Sequence, residues 1–495
     1  MKRTAIQYLL IVMLGAILSC EKQDSQPVEW LAKVGNRTIT PQDFRERSEF
    51  TVRPDYCKGK TSNDKGIILN TLIGEKLLAL EGEKDTLLTN SKYIRNYVQG
   101  VKEQTMRAVL LDTELEDALN VTAAEKTEAF KQATKKLHIS YLFSRSQTEI
   151  DAWKNEFDRT GDFESLEKKI NDGKSPHLKE VVWGENLPSL EAALYTEGVT
   201  VGSVVGPVET KVGYYLAKVN DMRHEVILGQ GSTDTKLRKV ETVLKERKWH
   251  RASAGYVYNL MKNKDIQLDQ KGFDLLLAYY KPARAVPDTR EEYLKIDQEE
   301  LAKARRKAQH DLRNNLDQPL LTVDNTPWSI GEFIDYTQRR PLMFRAKKIR
   351  EQEFPHYLKL AIKDLIRDKY LTEKAYKKNL DQHPKVVLEE HRWKDHMLAI
   401  GARNYLLKQL GFTGKIKENS FDVVNMLRPQ LNLIAGKHSI EINPELFKAV
   451  QLTGIPWMAL RQGMPFQQVV PPLPVITNDE RPDYLTYFSE LAAKQ

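Results

Sequence analysis

VGSVVGPVETKVGYYLAKV, residues 201–219, is the stretch on which the reading of this chain turns. Gly206-Pro207 and Gly213-Tyr214 punctuate it, and KVGYYLAKV (211–219) reads as one β-strand. Upstream, LHISYLF (137–143) alternates in part and predicts a second strand. SQTEIDAWKNEF (146–157) has the spacing of an amphipathic helix, and GDFESLEKKI (161–170) reads as a turn and a helix. Residues 135–225 thus predict a small α+β domain.

Three of these runs resemble the parvulin family of peptidyl-prolyl isomerases. GDFESLEKKI is similar to its G-x-D-F-x-x-L-A turn and helix, and ENLPSLEAALY (185–195) to its M-V-P-x-F-x-x-A-x-F. Residues 201–219 are similar to its V-G-x-x-x-G-P-V-x-T-x-F-G-Y-H-I-I-K-V. Turning an X-Pro bond means crossing a barrier of ~18–20 kcal/mol set by amide resonance. The resemblance implies two facing histidines in a network with a Cys or Asp, and a Met and a Phe that hold the proline ring. In this chain the first histidine falls at Tyr141 and the second at Tyr215, the Met at Asn186 and the Phe at Val212. The region of the acid reads SPHLKEVVW and has no matching Asp. His138 lies three residues early for the first histidine, an odd slip that inverts a strand's faces. The expectation is a peptidyl-prolyl isomerase domain, weak or inactive, kept for structure or peptide docking. Its peptide-binding positions would be Tyr141, Asn186, Leu187, Val212 and Tyr215, with His138 the alternative catalyst.

Around this insert the chain carries one design twice. KVGNRTITPQDF (33–44) and TVDNTPWSIGEF (322–333) share a two-residue turn, a short strand, a hydroxyl N-cap with an acid three residues on, and a phenylalanine opening the buried face. Leu69, Leu72, Ile73, Leu77 and Leu80 recur at helical spacing in the first copy; Leu358, Ile362, Leu365, Ile366 and Tyr370 do so in the second. A long helix follows each, at about 91–119 and 385–410, and each copy ends in I-x-[LI]-[DN], at 266–269 and 440–443. Together with LAKVGNRTITPQDF, similar to the VAxVNGxxIT start of the group, this resembles the SurA/PrsA envelope chaperones. There a parvulin domain sits in the gap of a split helical domain. The fold expected is mainly α with an inserted small α+β parvulin-like domain, the SurA-like helical unit being duplicated. Residues 28–134 and 226–280 would be the two parts of the first unit and 283–450 a second unit without the insert. IPWMALRQGMPFQQVVPPLPVITNDERPDY (455–484), within a Pro-rich segment 451–495, reads as an extended strap over the second unit or a partner's docking segment.

The ends and totals narrow the function. Met1-Lys2-Arg3, the apolar run 5–18 and ILSC read as a lipoprotein signal peptide, 1–19, with Cys20 as the lipidated residue and 20–27 as a polar tether. No other stretch approaches the ~20 apolar residues of a helical span. If Cys20 is acylated only Cys57 remains, so no intrachain disulfide forms. Net charge is +8, from 76 basic and 68 acidic residues, with no basic cluster interleaved with aromatics, so nucleic acid is not expected as a partner. His383, His391 and His396 stand eight and five apart, which does not place them on one helical face; neither a metal nor a cofactor is expected. The reading is a lipid-anchored cell-envelope chaperone, on the outer membrane facing the periplasm, that binds unfolded or translocating polypeptides. The alternatives are an active prolyl isomerase and a structural subunit of a secretion or assembly machine.

Overall fold

The computed structural model describes residues 29–57, 62–225, 229–286, 298–453 and 457–479. The expected signal peptide, Cys20 and the expected tether lie outside the described residues, as do the last residues of the Pro-rich segment. No helix among the described residues is long and apolar enough to cross a membrane. The chain forms two compact units, one of residues 111–263, the other of residues up to Leu110 with those from Lys264 onward.

The helical unit begins with a hairpin, β1 (Ala32–Val34) and β2 (Arg37–Ile39), followed by α1 (Pro41–Glu49), α2 (Ser62–Lys84) and α3 (Lys92–Leu115), whose end passes into the other unit. Its second half holds α9 (Gln270–Arg284), α10 (Gln298–Arg313), the hairpin β9 (Pro319–Val323) and β10 (Thr326–Ser329), α11 (Ile330–Arg339) and α12 (Phe354–Lys377). Then come α13 (Pro384–Gln409), α14 (Ser420–Ala435), strand β12 (Ile440–Ile442) and α15 (Pro444–Ala449). Two further strands, β8 (Ala285–Val286) and β11 (Ile349–Arg350), form a short parallel pair, and β7 (Ile266–Leu268) opens the second half.

Both repeated starts fold as their residues predict, with one difference. Ser329 and Glu332 complete a reciprocal capping box. At the first copy Thr40 accepts the Asp43 amide, but the Asp43 carboxylate turns away to Arg392, 2.7 Å distant. A buried guanidinium wins over an exposed amide for that carboxylate, because the ion pair carries full charge. Phe44 and Phe333 are fully buried, as are Leu72 and Ile366 in the helices that follow.

The two copies exchange their closing parts, where the sequence leads one to expect each to close on itself. Strand β12, which ends the second copy, pairs antiparallel with β1, placing Val34 opposite Ile440 and Ala32 opposite Ile442. Strand β7, which ends the first copy, pairs with β9, Ile266 opposite Val323. The helices follow the strands. Leu398, Ala399 and Ala402 of α13 enter the core built on Leu69, Leu72, Ile73 and Leu77 of α2. In α3, Arg107 donates to Thr372 of α12 at 3.0 Å and Gln99 to the Tyr376 hydroxyl at 2.7 Å. Two glycines permit the exchange. A Cβ at Gly82 would lie 2.7 Å from the Leu398 carbonyl oxygen, and one at Gly272 would lie 2.1 Å from that of Pro319. Since the two closing motifs share one pattern, local sequence does not say which hairpin each one completes.

Charge is buried at this junction. Both Nη atoms of Arg47 donate to Glu75, at 2.9 and 2.8 Å, with both side chains fully buried. His396 Nδ1 lies 2.9 Å from Glu75 Oε2, and Arg47 also donates to the Pro472 carbonyl at 3.2 Å. Residues 457–479 form the strap, laid chiefly along the first copy rather than the second. Trp457 and Ala459 donate to the Glu49 and Phe50 carbonyls, Phe466 is buried with Val101 and Trp393, and Ile476 joins the α2 core.

Residues 111–263 contain α4 (Ala123–Ala133), β3 (Lys135–Ser144), α5 (Gln147–Thr160), α6 (Phe163–Ile170) and β4 (Leu178–Val182). After these come α7 (Pro188–Leu194), β5 (Val204–Thr210), β6 (Gly213–His224) and α8 (Gln230–Met261). The four strands form one antiparallel sheet in the order β4-β3-β6-β5. The unit is longer at both ends than 135–225. Ala129 and Ala133 of α4 and Val240 of α8 are buried with Leu137, Ile139 and Val219, so both helices complete the core on one face of the sheet. Lys211 and Val212 form the β5–β6 turn, so the strand that the sequence predicts from 211 starts at Gly213.

Candidate functional site: an aromatic row on the central strands

Strands β3 and β6 pair in the middle of the sheet, with Phe143 opposite Tyr215 and Tyr141 opposite Ala217. Along β3 the residues Leu137, Ile139, Tyr141 and Phe143 share one face, since side chains alternate along a strand. At the inner end that face is core. Toward the end bearing the turn it opens: Phe143 is 37% exposed, and Tyr141 and Tyr215 are half-buried against the same core.

Four rings line up there. Phe143 and Tyr215 have centroids 5.0 Å apart, Tyr215 and Tyr141 5.5 Å, and Tyr141 stacks on His177 at 5.7 Å. His177 directly precedes β4, and its carbonyl accepts the Tyr141 amide at 3.1 Å. Gly213 makes the row possible. Its φ is +144°, and a Cβ there would fall 2.7 Å from the Phe143 ring and 2.6 Å from the Ser144 carbonyl oxygen. The glycine of the Gly-Tyr signature is thus what lets Phe143 lie flat over the hairpin.

Within the row, the Tyr215 phenol sits in a partly desolvated place. Burial, with Tyr141 close by, lifts the Tyr215 phenol above its ordinary pKa, so it remains protonated through the physiological range. Among the described residues neither phenol hydroxyl has a hydrogen-bond partner. Burial likewise raises the carboxyl of Glu167 on α6, an effect that His177 opposes. The arrangement offers a half-open row of mutually tilted rings, two phenol donors and one imidazole. Such a surface takes up a proline or apolar side chain and can donate to a peptide carbonyl.

The other sequence candidates lie apart from it. Asn186 is tied into the turn before α7: its amide donates to Glu191 at 2.6 Å and its Nδ2 to the Val182 carbonyl at 3.0 Å. Leu187 packs on the core that Tyr141 and Tyr215 border. Val212 stands 47% exposed in the β5–β6 turn. No described contact brings Asn186 or Val212 to the row. His138 is on the opposite face of β3, across the ladder from Glu180 and Asp221, with Nε2 3.6 Å from the Glu180 carboxylate. His177 is the member of the row that sequence reasoning passed over. It stands within SPHLKEVVW, where the resemblance places an acid, and its position one residue before a strand was the available signal. Of the other histidines, His383 caps α13, His391 lines a polar cleft by the β1–β2 hairpin, and His396 is bonded to Glu75.

A comparison with curated proteins finds the foldase protein PrsA of Exiguobacterium sibiricum, 26% identical over 178 residues. The matched part is 34% of this chain and 57% of the PrsA relative, so the chain spans little more than half of that relative's length. No family model matches. Among solved structures, a PrsA peptidylprolyl isomerase from Bacillus anthracis aligns at 16% identity and a TM-score of 0.20, over 30% of this chain and 62% of its own. One of two SurA-like chaperones of Campylobacter jejuni, PEB4 and Cj1289, aligns at 16% identity and a TM-score of 0.20, over 48% of this chain and all of its own. Scores this low leave the architecture to rest on the strand pairing and cores described above.

Proposed function

We propose that this protein is a lipid-anchored chaperone of the cell envelope that binds unfolded or translocating polypeptides, its PrsA/SurA-like insert retained as a peptide-docking domain. The carrying observation is the row Phe143–Tyr215–Tyr141–His177, which holds tyrosines at the two positions where the resemblance places the parvulin's facing histidines. Each tenfold gain in rate needs about 1.4 kcal/mol of extra binding to the twisted amide. Two phenols on an open surface, with Asn186 tied into the turn before α7 and Val212 exposed in the β5–β6 turn, supply little of that. Lipid attachment at Cys20 and a place on the outer membrane facing the periplasm complete the reading; the run ILSC supports the first, and Glu21 after Cys20, in place of an aspartate retention signal, the second.

The test uses a client that contains no proline. The wild-type chain should suppress its aggregation, while residues 111–263 should barely accelerate X-Pro isomerisation in a peptide, and Tyr215→Phe should change neither. Failure to protect any unfolded client would overturn the proposal. One observation favours the second reading, an active isomerase: His177 still places an imidazole against Tyr141, 5.7 Å between centroids. Strong isomerase activity lost on His177→Ala or Tyr141→Phe would establish it.

A further inference from the structure

The strap carries an apolar surface that the aromatic row does not explain. Its first described residues run beside the C-terminus of α1, Trp457 donating to the Glu49 carbonyl at 2.7 Å and Ala459 to that of Phe50 at 3.1 Å. This brings Trp457 (69% exposed), Met458 (39%) and Leu460 (51%) alongside Phe50 (36%) and Val52 (53%). Leu460 continues the surface into a groove of about 450 Å³ whose far wall holds Tyr93, 68% exposed. Among the described residues no charged one lines that groove, in a chain where 29% of residues are charged. Gln467 and Gln468 line it too, and their side-chain amides have no partner among the described residues.

We infer that this groove and the strap beside it form a docking surface for an uncharged, extended apolar segment of an unfolded polypeptide. The inference rests on the chaperone reading and gives it a second contact site, in the helical unit. Charge selects the occupant, because a charged segment would lose water with no counter-ion to replace it. The free glutamine amides can take the backbone N–H and C=O groups that an extended chain presents. Area argues against a second copy. With about 200 Å² for a large exposed side chain, the six apolar residues offer roughly 600 Å². A stable interface takes ~800 Å² from each partner. Patches of this size on a monomer are often functional, and the area suits one short segment held weakly.

The experiment measures binding of a fluorescein-labelled, acetylated and amidated peptide of Leu, Tyr, Ser and Gly to the full chain by anisotropy. Trp457→Gln/Leu460→Gln, both exposed, should keep the helical circular dichroism and weaken binding by about tenfold or more. A change under about twofold would overturn the inference, as would equal affinity for a peptide of the same length rich in Asp and Lys. A wild-type dimer that becomes monomeric in the double variant would assign the surface to a second copy instead. Peptide binding that tightens about fivefold or more on truncation after Asp479 would assign it to the chain's own tail. If the double variant still protects a client in the aggregation assay, the chaperone reading survives the loss of this site; if wild type protects none, that reading fails on its own.

Discussion

In a Glu75→Gln variant the amide keeps the shape of the carboxylate and removes its charge. Arg47, with no exposed side-chain surface, then loses the partner that takes both its Nη atoms and retains the Pro472 carbonyl at 3.2 Å. His396 loses the carboxylate at 2.9 Å. Removing one member of a buried pair costs about 3–5 kcal/mol. One amide oxygen can still accept from Arg47, so the lower end, about 3 kcal/mol, applies. With a urea m-value of about 3 kcal/mol/M, the midpoint should fall by about 1 M. The triad joins α1, α2, α13 and the strap, so the helical signal of the unit should move as one transition, followed by far-ultraviolet circular dichroism. A shift under about 0.3 M would mean that water or another group already serves Arg47. A helical fraction that unfolds at the wild-type midpoint would mean that the two copies are independent, and the exchange described above would be refuted. Arg47→Met with Glu75→Leu should recover most of the loss, since well-packed apolar residues can replace a buried ion pair.

Acid should weaken the same junction in two stages. Burial holds His396 below its ordinary pKa against the pull of Glu75, so the unfolded chain binds more protons; its contribution is complete above about pH 6.5 and lost as pH falls from there. Burial would raise Glu75, but Arg47 holds it well below the carboxylate range, so its share is lost below about pH 4.3; His396→Gln should remove the first stage alone in urea titrations at stepped pH. Residues 29–283 expressed alone lack β12 and α13 and should be molten by near-ultraviolet circular dichroism, whereas co-expression with 298–479 should give a soluble complex; a sharp native spectrum from the first piece alone would contradict the exchange. Cys20→Ala should release the protein from membranes or block its processing, and unchanged membrane partition of a correctly cleaved mutant would remove the lipid.

The local chemistry was legible in the sequence and the long-range pairing was not. Gly35-Asn36 and Asp324-Asn325, Thr40, Ser329 and the Leu-rich helical stripes act within a few residues of themselves, and each forms the turn, cap or core face its pattern predicts. Tyr141 and Tyr215 are paired by the resemblance to the parvulins, and they lie on adjacent strands with ring centroids 5.5 Å apart. His177 escaped because a loop residue one step outside a strand has no periodicity to reveal it. The closing strands escaped for another reason. Ile266-Gln267-Leu268 and Ile440-Glu441-Ile442 offer edges of one pattern to two hairpins of one pattern, and the choice is made by tertiary packing, of α13 on α2 and of Gly272 against Pro319. The burial of Arg47, Glu75 and Arg392 leaves no mark in the sequence, since nothing beside them names a partner.

The exchange also sets a timetable. A ribosome delivers residues 29–110 first, yet the groups that cover their apolar side arrive near the end, and Arg47 and Pro472 are 425 residues apart. Loop closure over such spans makes folding slow. The second hairpin has its strand β7 from the start and can settle early, while α2 keeps Leu69, Leu72, Ile73 and Leu77 uncovered until α13 and the strap emerge. For most of its own biogenesis this chain therefore presents the kind of surface that holding factors bind, and a truncation near the C-terminus would strand the oldest part of the molecule, not the newest.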